Sequence, residues 1–231
     1  MRHGAISLMD VLGWKGIWQR KTDAISVLKS LIGASQVWID SYKEDSIMSS
    51  HLSNLTVEIR SISDTIALVT YGDDINKAIE FHGIINRFLV CNSISRKIPL
   101  RGATAYGELE LSENIMIGPA VDEVASWYEA SDWIGVFLTP SALFQLNTAN
   151  FFGSRFNLES ETGIYTRYNV QIKGMGAYDT YCVNWPTIWE NGRQGLTQNF
   201  LKMGPVTPSI ASKYINTLKF FDEQTLQSSE I

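Results

Sequence analysis

The sequence predicts an α+β layer fold, helices packed on a mostly antiparallel sheet, and three observations carry that expectation. An apolar, strand-like run, AISLMD, ends in Asp10 and leads through a glycine turn into a helical stretch. Two β-rich runs, NLTVEIRSI and TIALVTY, flank the pair Ser63-Asp64. Between residues 73 and 91, apolar side chains recur at the i, i+3, i+4 spacing of a helix.

Taken in order, residues 4–10 read as the first strand. Leu12-Gly13-Trp14-Lys15 then turns into a long helix, with Ile17, Ile25, Leu28 and Leu31 supplying much of its apolar face. Residues 54–62 and 65–71 form a hairpin by length and composition, with Asp64 at the tip. GDDINKAIEFHGIINRFLV has acids early and Ile75, Ala78, Ile79, His82 and Ile85 on one face, a helix over 73–91. Residues 99–109 return as a strand. After Gly118, Pro119 opens a helix with Val121, Val124, Ala125 and Tyr128 on one face and Asp122, Ser126 and Glu129 opposite. IGVFLT reads as a strand, PSALFQL as a short helix, and YNVQIKG with AYDTYCVNW as a late hairpin across Gly174-Met175-Gly176. Residues 186–206 are rich in Gly, Asn and Gln without a clear period, and residues 208–221 read as a final helix. The expected organisation is one domain over 1–185 and a C-terminal extension over 186–231.

Composition narrows the function classes. With 231 residues and 45% apolar content the chain can bury one substantial core. A formal charge of −5 and the absence of a Lys/Arg block argue against nucleic acid or an acidic membrane as partner. No run approaches the ~20 apolar residues of a spanning helix, and the apolar run near the start is too short for a signal peptide, so a cytoplasmic protein is expected. Cys91 and Cys182 lie in apolar runs with no metal or redox spacing and read as reduced core residues. His3, His51 and His82 are scattered, which leaves no ligand set for a transition metal.

The chemistry-bearing residues are two acids and an arginine at strand ends. Each acid alone is ordinary in a turn. Together, Asp10 and Asp64 on neighbouring strands can hold two hard cations about 4 Å apart, which suits an in-line phosphoryl displacement. The Gly13 turn would let backbone N–H groups approach a phosphate. Arg101, at the head of RGATAYGE, would neutralise charge on a leaving group.

In this order the motifs resemble those of the class III nucleotidyl cyclases. Asp10-Val11-Leu12-Gly13-Trp14 is similar to the family's metal Asp followed by x-x-Gly-aromatic. Arg60-Ser61-Ile62-Ser63-Asp64 is similar to its hairpin Lys-x-x-Gly-Asp, and Arg101 to Gly107 to its Arg-x-Gly-x-x-x-Gly. The stretch from Gly118 to Ser126 corresponds to a Gly-x-x-Val-Asn-x-Ala-x-Arg helix, and Lys173-Gly174-Met175-Gly176 to the hairpin Lys-Gly-Lys-Gly. The Trp-rich entry from Asp10 to Trp18 resembles most the bacterial pyrimidine (uridylate and cytidylate) cyclases of Pycsar antiphage signalling. The chain departs from the family at Asp122 and Ser126, which stand for Asn and the transition-state Arg, and at Met175, which stands for a triphosphate-gripping Lys. The family's purine-reading Lys and Asp are Arg60 and Ile115, so the purine pattern is gone.

The resemblance implies a cyclase-like (ferredoxin-like) sheet and a homodimer with shared active sites. It implies two Mn²⁺ or Mg²⁺ ions on Asp10, Asp64 and the Val11 carbonyl, and a nucleoside triphosphate held by Val11, Leu12, Gly13, Trp14, Lys15 and Arg60, with Arg101 on its phosphates. Lys15, Lys173 or Arg20 could replace the missing Arg. The implied product is cyclic UMP or cyclic CMP acting on a separate effector. Arg60 is donor-only and suits the acceptor O4 of uracil if it touches that edge, which favours UTP over CTP. Two other readings stay open: a catalytically silent nucleotide sensor, and a dimerisation domain using the Trp-rich segments 14–18 and 185–189.

Overall fold

A computed structural model of the chain describes residues 1–14, 17, 21–44, 54–113, 115–151, 163–203 and 206–227. Its order is β1 (Arg2–Val11), α1 (Ala24–Glu44), β2 (Thr56–Ile62), β3 (Thr65–Tyr71), α2 (Ile75–Ser95), β4 (Leu100–Ser112), β5 (Ile115–Ile117), α3 (Pro119–Trp127), β6 (Gly135–Leu138), α4 (Pro140–Phe151), β7 (Tyr165–Ile172), β8 (Gly176–Val183), α5 (Gly192–Leu201) and α6 (Pro208–Gln227). The sheet runs β2-β3-β1-β4-β6-β8-β7, with β5 folded back on β4. All its ladders are antiparallel except β4 with β6. The α+β class expected from the sequence is therefore the class observed.

β1 is central because its residues 5–9 are apolar or small on both faces and almost wholly buried. Strand alternation sends Ser7 to the face covered by α2 and Asp10 to the opposite face, beside α3. On the α2 face, the Ser7 hydroxyl meets His82 Nε2 at 2.7 Å and Thr104 at 2.7 Å, while Thr70 Oγ1 meets His82 Nδ1 at 3.0 Å. Asn86 donates to Ser7 at 3.0 Å. This polar knot lies inside an otherwise apolar layer, where unmade hydrogen bonds are costly, so it fixes how α2 sits on the sheet. Gly83 lets α2 come close, since a Cβ there would stand 2.6 Å from Ile164 and Tyr165.

Two expectations about helix faces are corrected. The buried stripe of α1 is Ala24, Leu28, Leu31, Ser35 and Ile39, and Ile25 is 51% exposed. Ile25 sits roughly 100° around the helix from Ala24, which lines up with Leu28 and Leu31 instead. In α3 the buried residues are Ala120 and Val124, and Ala125 faces outward. The poorly patterned stretch after 186 contains a helix, α5, which buries only Leu196 and Phe200. Two apolar residues at i, i+4 among Gly, Asn and Gln leave too weak a period to read.

From Trp185 onward the chain shares the main core. Phe220 of α6 is fully buried, with ring centroids 4.7 Å from Trp133 and 4.8 Å from Tyr168, and Trp185 adjoins both Phe220 and Phe221. Both cysteines are free thiols, Cys182 buried in β8 and Cys91 half-buried on α2. No helix among the described residues is long and apolar enough to cross a membrane.

Candidate active site

The site grows from the end of β1. Asp10 stands in register between Thr65 of β3 and Arg101 of β4, so the ladder brings one acid and one base face to face. The hairpin turn Ser63-Asp64 closes beside it, where the Val11 N–H donates to the Asp64 carbonyl at 3.2 Å. Ser63 takes the left-handed φ of 59° that a two-residue hairpin turn asks of its first position. Beyond Val11, Leu12 N–H bonds to Pro99 and Gly13 adopts φ 76°, which turns the chain away from the sheet. The Trp14 N–H then returns to the Val11 carbonyl at 3.3 Å. Leu12 and Trp14 pack against the core.

Arg101 is tied down on every side. Nε and Nη2 both donate to Asp10 Oδ2, at 3.1 and 3.0 Å, and Nη1 donates to the Ser131 carbonyl at 3.4 Å. Glu129 Oε2 lies 3.9 Å from Nη2. The side chains of Arg101 and Asp10 are 9% and 14% exposed, so this is a largely buried pair. Burial pushes the Asp10 carboxyl up to about 6; Arg101 opposes that shift, while the charges of Asp64 and Glu129 reinforce it. Glu129, read from sequence as a solvated acid, has an exposed side chain that reaches this guanidinium nonetheless. Tyr128, read as a core residue, lies beside Glu129, Thr65 and Asp10, and burial raises its pKa.

The other residues singled out by sequence are placed as follows. Lys173 donates to the Glu129 carbonyl at 2.9 Å and lies within electrostatic reach of Arg101 and Lys213; burial and those two cations lower its pKa. Arg60 points away from Asp10, to the Glu58 carboxylate at 2.8 Å and the Glu113 carbonyl in the β4–β5 turn. Ser126 is exposed and its hydroxyl folds back onto the Asp122 carbonyl at 3.0 Å. Met175 is 60% exposed at the tip of the β7–β8 hairpin, and Ile115 is exposed on β5. Lys15, Trp18, Arg20 and His51 lie outside the described residues. Sequence reasoning missed the Ser131 carbonyl; a backbone contact from an irregular segment leaves no residue-type signal.

Among the described residues no group of three or more His, Cys, Asp or Glu side chains is placed to hold a metal ion. Asp10 and Asp64 with the Val11 carbonyl nevertheless make an all-oxygen donor set of the kind Mg²⁺ or Mn²⁺ takes, ions that keep waters or substrate oxygens in their remaining positions. Only one oxygen of Asp10 is used by Arg101. The upward push of one acid by the other is the repulsion a cation would relieve.

These groups give stability an unusual pH dependence. Burial holds His82 neutral down to about pH 3, whereas an unfolded histidine takes its proton near 6.5. Over that interval the unfolded chain binds the extra proton, and stability falls as pH falls, by up to about 1.4 kcal/mol per unit. Asp10 acts with the opposite sign between its ordinary 3.8 and about 6, because there the folded chain binds the extra proton. Urea unfolding from pH 7 to 4 is expected to show a steeper loss of stability in Asp10→Asn than in the parent. Parallel curves would contradict this.

No protein-family model matches the sequence, and no curated protein matches it. Among solved structures the chain is similar to the catalytic core of a rhodopsin-guanylyl cyclase with converted specificity in complex with ATPαS, at 14% identity and a TM-score of 0.43 over 79% of this chain and 95% of that one. It is also similar to a dimeric guanylyl cyclase domain of the RhoGC fusion protein from the aquatic fungus Blastocladiella emersonii, at 15% identity and a TM-score of 0.45 over 79% and 94%.

Proposed function

We propose that this chain is a nucleotidyl cyclase that converts a pyrimidine nucleoside triphosphate, UTP by preference, into its 3′,5′-cyclic monophosphate and pyrophosphate. The observation that carries the reading is the meeting of Asp10, at the end of β1, with the Asp64 turn and Arg101 at one corner of the sheet. The reaction forms a bond from the ribose 3′-oxygen to the α-phosphorus, breaks the bond from that phosphorus to the bridging oxygen, and releases the 3′-hydroxyl proton. Two divalent cations, Mn²⁺ or Mg²⁺, held by Asp10, Asp64 and the Val11 carbonyl, would supply Lewis acidity toward the 3′-hydroxyl and the phosphates. Arg101 holds Asp10 in one orientation and adds a fixed positive charge beside the phosphates. The backbone of the Gly13 turn would hold the β- and γ-phosphates.

The preference for UTP over CTP rests on the donor-only character of Arg60 and requires that it leave Glu58 and Glu113 to reach the O4 edge of the base. The resemblance in motif order supports a homodimer, and the Trp-rich entry a cyclic nucleotide that signals phage infection to a separate effector; the proposed setting is cytoplasmic. A second reading, a silent nucleotide sensor, is favoured by Ser126 folding back on its own helix and by the engagement of Arg101 with Asp10. Incubation with each of the four NTPs and Mn²⁺, followed by product analysis, separates the two. A cyclic pyrimidine product is expected, and no cyclic product from any NTP would favour the sensor.

A further inference from the structure

The segment that holds Arg101 is itself held by the C-terminal helix. Residues 129–134 connect α3 to β6 and deliver the Ser131 carbonyl and Glu129 to the guanidinium. On one side this segment is stitched to the β7–β8 hairpin: the Asp132 N–H donates to Gln171 and the Lys173 N–H to Ala130, both at 2.9 Å. On the other side stands α6. Lys213 pairs with the Asp132 carboxylate at 3.2 Å, and Asn216 donates to the Asp132 carbonyl at 2.9 Å. The buried Thr217 hydroxyl accepts from the Ile134 N–H at 2.9 Å and donates to the Lys213 carbonyl at 2.7 Å. With donor and acceptor both used, that hydroxyl has one orientation. The Trp133 ring between these contacts packs on Phe220 of the same helix.

We infer that α6 is a built-in positioning element of the candidate active site: Lys213, Asn216 and Thr217 fix residues 131–134 and thereby fix the Arg101 guanidinium on Asp10. Its catalytic consequence rests on the cyclase reading, whereas the positioning itself does not. A segment with no regular structure between a helix and a strand would otherwise be free to shift by the ångström that separates a hydrogen bond from a gap.

The test reads Arg101 directly. Solvent exchange of its Nε–H is followed by NMR, the resonance being assigned by its loss in Arg101→Lys, with the amides of β1 as a record of the intact sheet. Thr217→Val, which keeps the shape and removes the hydroxyl, and Lys213→Ala, which removes the half-buried ammonium from Asp132, are each expected to speed Nε–H exchange about tenfold while β1 protection holds. Thr217→Ser, which keeps the hydroxyl, is expected to restore it. Turnover is expected to fall in kcat more than it rises in KM. Unchanged Nε–H exchange in Lys213→Ala with β1 protected, or in a folded Thr217→Val, would overturn the inference. Faster exchange in these variants, with a parent protein that cyclises no NTP, would uphold the positioning and sink the cyclase reading alone.

Discussion

Asp10→Asn is expected to lower cyclisation by about a thousandfold while leaving the protein folded. The carboxylate is, with Asp64, one of the two side chains proposed to hold a divalent cation at this corner, and losing ~4 kcal/mol of transition-state charge stabilisation corresponds to that factor. Asn keeps a carbonyl oxygen for the two hydrogen bonds that Arg101 gives to Asp10 Oδ2, so the buried guanidinium is not stranded. Asp10→Ala removes that acceptor as well. It leaves a cation that is 9% exposed without its main partner, at a cost of about 3–5 kcal/mol and a melting point lower by on the order of 10 °C. Steady-state kinetics and thermal melts of the two variants separate catalysis from folding. Near-normal turnover in Asp10→Asn would show that the site lies elsewhere.

Arg101→Ala is expected to be damaging in a different way. Arg101 is what lowers the Asp10 pKa against burial and against the charges of Asp64 and Glu129. Without it the Asp10 pKa rises further above about 6, and more of the carboxyl is protonated at neutral pH. Activity should fall strongly at pH 7, and the acidic limb of the kcat/KM profile should move toward higher pH, with partial recovery as pH rises. Arg101→Lys keeps a charge but not the planar two-donor contact, and is expected to fall between. An unmoved acidic limb, or near-normal turnover in Arg101→Ala, would contradict this role.

The parts of the site that sequence makes legible are those written in local pattern. The apolar run into Asp10, the glycine turn after it and the short turn at Ser63-Asp64 each carry their own conformational signal, and each stands where it was expected. The partnership of Asp10 with Arg101 is a different kind of fact. It depends on the register of two strands 91 residues apart, which no local window contains. Sequence therefore reads Arg101 as a cation free for phosphate, while the folded chain spends its donors on Asp10 and Ser131. The hold of α6 on residues 131–134 is hidden for the same reason, being made by Thr217 and Asn216 on peptide groups rather than by a motif.

Cyclisation by the Asp10–Asp64 corner is tested most directly by mass-spectrometric product analysis of the parent protein and Asp64→Asn, each incubated with ATP, GTP, CTP and UTP in Mn²⁺. Asp64 is half-buried in its turn and meets β1 through its backbone carbonyl, so its side-chain replacement should leave the sheet intact. The expected result is a 3′,5′-cyclic pyrimidine monophosphate with an equal yield of pyrophosphate from the parent and none from Asp64→Asn. Equal cyclic product from both proteins would contradict the account.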